Sequence, residues 1–369
     1  MKQYFSIPYI NLKSQHDHIK HELLLAIEET LSSGQFILGT TVRDFEKQFA
    51  EYCGTKYAVG VGSGTDALVL SMKASGIGSG DEVITSPNSF LASASAIALT
   101  GATPVFVDVK NTFNLNPELL EASITSKTKA IMPVHLTGRP SELYQIQAIA
   151  EKNGLVIIED AAQAVGARYH EKRVGSFGIA GCFSFHPLKN LNACGDGGII
   201  VTNDELVYKY LIKARNHGLI NRNECEFWSL NSRLDTIQAA ILRLKLKNLD
   251  SVIKKRREHA DFYRHNLADV VEVPQEQPFE HSAYQTFMIQ ADQRDNLQNY
   301  LSRQGVETVV HYHIPIHLQK AAKSLGYKSG DFPVTEHLAN RILSLPVYPE
   351  LTINQLDYIA KTIREFYER

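Results

Sequence analysis

Four cysteines in 369 residues are few, and Cys53, Cys182, Cys194 and Cys225 show no CxxC spacing. That leaves no disulfide framework or paired-thiolate motif and points to reduced thiols in a cytoplasmic protein; no metal site is expected. Charge of one sign is also scarce. The net charge of −2 gives no general attraction to nucleic acid or to an anionic membrane. No stretch approaches the ~20 apolar residues of a membrane span. Met1 to Pro8 lacks the apolar core of a secretory leader. Internal repeats and low-complexity segments are absent too. What remains is 44% hydrophobic and 21% charged, the balance of a soluble globular chain long enough for about two domains.

Hydrophobic spacing predicts an amphipathic helix over residues 17–32 and a second over 41–53, with Val42, Phe45 and Phe49 on one face. From residue 57 strands and helices alternate. Strands are expected at 57–61, 82–86, 104–109, 130–134 and 155–159. Helices are expected at 66–74, 91–99 and about 141–152. Such alternation predicts an α/β fold with a mostly parallel sheet covered on both faces. Two further strands, 181–185 and 198–202, have little helix between them. Residues 234–260 read as one long helix leading from a large domain (1–250, with an N-terminal helical segment) into a smaller α+β domain (251–369).

The break in the alternation holds Lys189, within Ser184-Phe185-His186-Pro187-Leu188-Lys189-Asn190-Leu191 and ahead of Gly195-Asp196-Gly197-Gly198. A lysine fixed between strands by glycine turns is placed for covalent chemistry rather than solvation. Upstream, the apolar run Val156-Ile157-Ile158 ends in Glu159-Asp160-Ala161-Ala162-Gln163. An amine able to form a Schiff base, with a carboxylate at a strand end, suggests pyridoxal 5'-phosphate. Asp160 would pair with the ring nitrogen and favour its protonated form; alone, it reads equally as a cap or an ion-pair partner. Gln163 could reach the ring hydroxyl or be an ordinary polar residue at a helix start. Phe90 is either a core aromatic or a stacking platform. Gly62-Ser63-Gly64-Thr65-Asp66 runs from strand into helix, a setting that binds anions or simply caps the helix. No Gly-Lys-Ser/Thr follows it, and the acid expected ~20 residues after a dinucleotide fingerprint is missing, which disfavours a nucleotide-dependent dehydrogenase. Ser184 could serve a phosphate. His186 is structural or near substrate. Cys194 reads as a small buried filler rather than a nucleophile.

Together these segments resemble the DegT/DnrJ/EryC1/StrS family of sugar-nucleotide aminotransferases over nearly the whole chain. The resemblance also takes in Pro133-Val134-His135-Leu136-Thr137-Gly138-Arg139-Pro140, Asn231-Ser232-Arg233-Leu234-Asp235 and His317-Leu318-Gln319. It implies fold type I of the pyridoxal-phosphate enzymes and a homodimer with shared active sites. Lys189 would be the Schiff-base lysine, Asp160 the ring-nitrogen partner and Gln163 the ring-hydroxyl partner. Phe90 would stack, Gly64, Thr65 and Ser184 would hold the phosphate, and Asn231 would reach the other subunit's site. The implied reaction passes the amino group of L-glutamate to a nucleotide-linked keto hexose. Thr137 and His186 stand where many members have tyrosine. The run from Val310 to Gln319 resembles members that aminate C3, which favours C3 over C4. Phe36, His186, His313 and His317 are the sugar-contact candidates. A minority of relatives carry histidine in place of the lysine and dehydrate the sugar; Lys189 argues against that. A non-catalytic regulatory protein of this fold would tolerate loss of Lys189 or Asp160, and both are present.

Overall fold

The computed structural model describes residues 6–368. The N-terminal run read above for a leader begins at Met1–Phe5, which lie outside the described residues. Five strands follow the expected alternation: β1 (Tyr57–Val61), β2 (Glu82–Thr85), β3 (Thr103–Phe106), β4 (Thr128–Ile131) and β5 (Val156–Asp160). A small hairpin of β6 (Arg168–Tyr169) and β7 (Lys172–Arg173) precedes β8 (Ala180–Ser184) and β9 (Gly198–Thr202). Seven of these form one sheet in the order β1-β9-β8-β5-β4-β2-β3. The neighbours from β8 through β3 are parallel, and β9 runs antiparallel to both β1 and β8.

That one reversed strand organises the site. With β9 inverted, β1, β8 and β5 all point the same way and end on one edge. The register aligns Val61 and Ser184 with Gly198, and Asp160 with Cys182. Open α/β sheets bind ligands outside the carboxyl ends of their strands. Here the edge gathers Asp160, Ser184 and the turn after β1. Glycine is required where these segments meet. A Cβ on Gly198 would lie 2.3 Å from the Ser63 carbonyl oxygen, and one on Gly64 would lie 2.8 Å from Ser184 Cβ.

Packing on the two faces follows from sequence spacing. The helix Gly64–Ala74 buries Ala67, Leu68, Val69, Leu70 and Met72 against Val59, Cys182 and Ile200 of the sheet. On the other face, Phe45 and Phe49 of the helix Thr40–Cys53 meet Phe183 and Phe185 edge-on. Edge-to-face aromatic pairs contribute roughly 0.5–1.5 kcal/mol each beyond their area.

Two helices differ from the expected extents. Residues 17–32 hold parts of two helices, Leu12–Asp17 and Lys20–Ser33, because Asn11 caps the Ser14 N–H and starts a helix early, while Ile19 leaves helical geometry. The run 234–260 is also two helices, Thr236–Leu246 and Leu249–Leu267. Asn248 is non-helical there, and the new axis turns Leu249 and Ile253 into the core of the first cluster. Further along, Ala260, Tyr263 and Leu267 of the same helix join a second cluster. That cluster surrounds the antiparallel pair β11 (Phe287–Gln290) and β12 (Ile342–Leu345), and before it β10 (Glu280–His281) pairs with β6. Ile7 also belongs to it, its N–H donating to the Gly305 carbonyl. Among the described residues no helix is long and apolar enough to cross a membrane.

Candidate active site

A cavity of about 450 Å³ opens on the strand-end edge. It is lined by Gly64, Thr65, Phe90, Asp160, Gln163, Ser184, His186 and Lys189, so eight of the sequence candidates meet in one place. They arrive from several elements. Gly64 and Thr65 open the helix Gly64–Ala74, whose cap Ser63 accepts from the Asp66 N–H at 3.0 Å. The free N–H groups and dipole of that first turn favour an anion. Phe90 caps the helix Leu91–Leu99 with its ring 60% exposed, available for contact rather than spent in the core.

Asp160 is buried at the end of β5. Its Oδ2 accepts from Ser93 Oγ at 2.7 Å and its Oδ1 from the Ala162 N–H at 3.2 Å. Two donors fix the carboxylate while leaving acceptor capacity toward the cavity. Next to it is a buried pair whose members stand in the sequence only inside longer motifs. Glu159 and His135 are fully buried, 3.0 Å apart. Glu159 also accepts the N–H groups of Gly175, Phe177 and Gly178 at 2.6–2.9 Å. His135 Nδ1 accepts from the Ser141 N–H, so its proton sits on Nε2, facing Glu159. The same turn presents Thr137, whose N–H donates to Gln163 Oε1 at 2.8 Å. Gln163 Nε2 donates to the Tyr312 hydroxyl at 2.6 Å.

Lys189 projects from the β8–β9 connection. Among the described residues nothing hydrogen-bonds its amine, and Asp160 is the charge that faces it. Burial pushes its pKa down to about 8, partly opposed by Asp160. An amine poised there exchanges protons near neutral pH. The folded value lies below the unfolded value of about 10.4, so the unfolded chain binds more protons between those limits and stability rises with pH across them. We expect cofactor-free protein to gain stability relative to Lys189→Met from pH 8 to about 10.4 in chemical denaturation. Parallel stability curves would contradict the burial.

Other candidates lie elsewhere. Phe36 sits on a separate open groove with Gln35 and Arg43. Asn231 is exposed and bridges Asn216, outside this cavity. His313 is exposed, 3.5 Å from Arg294. His317 is 2% exposed, its Nε2 3.0 Å from Glu336 and its ring on Phe332, so packing and a hydrogen bond occupy it outside this cavity. Cys194 is exposed, correcting its reading as a buried filler, because the connection after Lys189 runs over the surface there. Tyr9, Gln285, Thr286, His311, Tyr312 and Tyr348 complete the wall. Burial and nearby Lys189 depress the pKa of His311 to about 4, and its Nδ1 meets Ser344 Oγ at 2.7 Å. Of these residues, only the run containing His311 and Tyr312 had a sequence signal. Tyr9 arrives from the opposite end of the chain and left none.

The residues suit pyridoxal 5'-phosphate. A glycine-built cup at a helix start matches its phosphate, a fixed carboxylate matches a ring nitrogen, and an unpartnered lysine matches its reactive carbon. Among the described residues no cluster of His, Cys, Asp or Glu could hold a metal ion.

The sequence profile of the DegT/DnrJ/EryC1/StrS aminotransferase family matches residues 17–364. The chain is 44% identical over 367 residues to a pleiotropic regulatory protein of Geobacillus stearothermophilus, covering 98% of this chain and 99% of that one. It is 41% identical over 362 residues to the dTDP-3-amino-3,6-dideoxy-alpha-D-galactopyranose transaminase of Aneurinibacillus thermoaerophilus, covering 98% and 99%. Among solved structures, S. venezuelae DesV in complex with a ketimine intermediate superposes with a TM-score of 0.96 at 40% identity, covering 98% of this chain and 99% of that one.

Proposed function

The chain belongs to the DegT/DnrJ/EryC1/StrS aminotransferase family, and from that premise we propose its reaction: L-glutamate donates an amino group to a keto hexose linked to dTDP, UDP or GDP, at C3 rather than C4. The fold is type I and the cofactor is pyridoxal 5'-phosphate. The observation that carries the reading is the convergence of Lys189, Asp160 and the Gly64–Thr65 turn on one cavity. C3 is supported by the names of the Aneurinibacillus transaminase and of a UDP-N-acetyl-3-dehydro-alpha-D-glucosamine 3-aminotransferase at 42% identity.

Bound cofactor supplies a carbon that takes up the amino group and a ring that draws electrons from the carbon losing its proton. The protein supplies the rest. Gly64, Thr65 and Ser184 would hold the phosphate. Asp160, anchored by Ser93 and the Ala162 N–H, would keep a proton on the ring nitrogen. Gln163, which lines the cavity, would reach the ring hydroxyl, and the exposed Phe90 would cover the ring. Lys189 would anchor the cofactor, leave it when donor arrives, and carry the proton from donor carbon to acceptor carbon. In the proposed ping-pong order donor product leaves before the keto sugar enters, and Lys189 would move the proton in each half.

The proposed assembly is a homodimer in which each Asn231 reaches the other copy's phosphate. Asn231 is exposed and outside its own cavity, which supports that placement. The unpaired cysteines agree with the proposed cytoplasmic setting. The Geobacillus relative's name favours a second reading, a regulatory protein of the same fold. The two readings part on turnover. Holoenzyme should change its visible absorbance on adding L-glutamate and then aminate dTDP-3-keto-6-deoxyhexose, followed by mass spectrometry. No response to glutamate would overturn the donor, and amination of the 4-keto isomer alone would overturn C3.

A further inference from the structure

Lys245 is a buried amine that, among the described residues, forms no ion pair with a carboxylate. It lies on the helix Thr236–Leu246 at 9% exposure. Its hydrogen-bond partners among the described residues are three neutral acceptors: the Asn192 carbonyl at 3.0 Å, Asn192 Oδ1 at 2.5 Å and His16 Nε2 at 2.9 Å. An ammonium carries three donors, so this set saturates it only when it is protonated. His16 must then present its Nε2 lone pair, and the ring also hydrogen-bonds the Leu12 backbone.

Asn192 is the hub of the arrangement. Its Nδ2 donates to the Pro187 carbonyl at 2.7 Å and to Gln15 Oε1 at 3.1 Å. Pro187 lies two residues before Lys189 and Asn192 three after it. One amide therefore ties both flanks of the lysine to Lys245. Through Gln15 and His16 it also ties them to the helix Leu12–Asp17, which follows Tyr9 and Ile10 of the cavity wall. Gln285 grips the loop from another side, accepting from the Asn190 N–H at 2.9 Å and donating to the Leu188 carbonyl at 2.6 Å.

We infer that Lys245 is a positioning residue for Lys189: through Asn192 its ammonium sets where the loop holds the catalytic amine, and through His16 it couples that loop to the N-terminal helix behind the cavity. This rests on the reading of Lys189 given above. A well-packed apolar residue would meet no desolvation cost at this position. Burial is severe enough to pull the Lys245 pKa down to about 8. What the charge adds is three directed bonds in fixed places, two of them to the segment that carries Lys189.

The test uses Lys245→Met, His16→Leu and His16→Gln, the last keeping an acceptor for Lys245. Two readouts are taken on cofactor-loaded protein: kcat with KM, and amide hydrogen exchange of the peptide spanning residues 186–194. Lys245→Met should lower kcat by about tenfold or more with KM little changed, since a misplaced group costs rate before binding. Exchange in the 186–194 peptide should speed up in the same variant. His16→Leu should lose kcat in the same direction, and His16→Gln should recover it. Wild-type kcat and exchange in both Lys245→Met and His16→Leu would overturn the inference. If Lys245→Met does not fold, the His16 pair decides, and equal kcat in His16→Leu and His16→Gln overturns it. A wild-type protein that neither holds cofactor nor responds to glutamate would instead fail the reading of Lys189 itself.

Discussion

Lys189→Ala ends amino transfer: turnover falls by at least about 1,000-fold, the combined loss of a covalent anchor and a proton carrier. The size follows from what surrounds the amine. The other basic side chains lining the cavity are His186 and His311, and His311 is held neutral near pH 7 by burial and by Lys189. His186 lines the cavity too, but its Nδ1 already accepts from the Leu188 N–H and its chain position is fixed by the same turn. Neither ring can bond the cofactor's carbon as a primary amine does. The measurement is a single-turnover reaction with L-glutamate, followed by the visible absorbance of the reconstituted protein. A variant that keeps the wild-type band and turns over within about tenfold of wild type would show that another group does this work.

Asp160→Ala has the second largest effect, a fall of roughly 100- to 1,000-fold. An opposite charge in contact shifts a pKa by about 1–3 units, and the ring nitrogen would lose that support. The loss is in electron withdrawal and should appear in kcat more than in KM. Asp160→Asn sharpens the comparison, because the amide keeps a carbonyl acceptor for Ser93 or the Ala162 N–H but no negative charge. If Asn restores turnover, position rather than charge is what matters, and the ring-nitrogen assignment fails. Undiminished turnover in Asp160→Ala would reject it outright.

Much of this site was legible because its parts carry local signals. The helix Leu91–Leu99 and the strands β1 and β9 fall where their apolar patterns put them. Lys189, Asp160 and the Gly64–Thr65 turn stand out because polar groups at strand ends interrupt long apolar runs. What local pattern does not encode is pairing. Nothing in the sequence of β9 states that it runs antiparallel, since a strand buried on both faces reads the same in either direction. The Lys247–Asn248 kink is invisible to periodicity because buried residues recur at helical spacing on both sides of it. His317, a sugar-contact candidate in a histidine-rich run, sits outside this cavity. Its fate was set by Glu336, 19 residues away and unmarked by any motif. Tyr9 could be found only by knowing that Ile7 bonds to Gly305.

The reversed strand also makes the site depend on a distant pairing. In the sheet β1 has a single hydrogen-bonded neighbour, β9, which lies about 140 residues later in the chain. A contact of that sequence separation carries a loop-closure cost that its pairing must offset. Until Gly198 arrives, the turn at Ser63 and Gly64 has no floor. Lys189 travels on the segment that delivers it. The anion cup and the segment carrying the reactive amine therefore depend on the same long-range pairing.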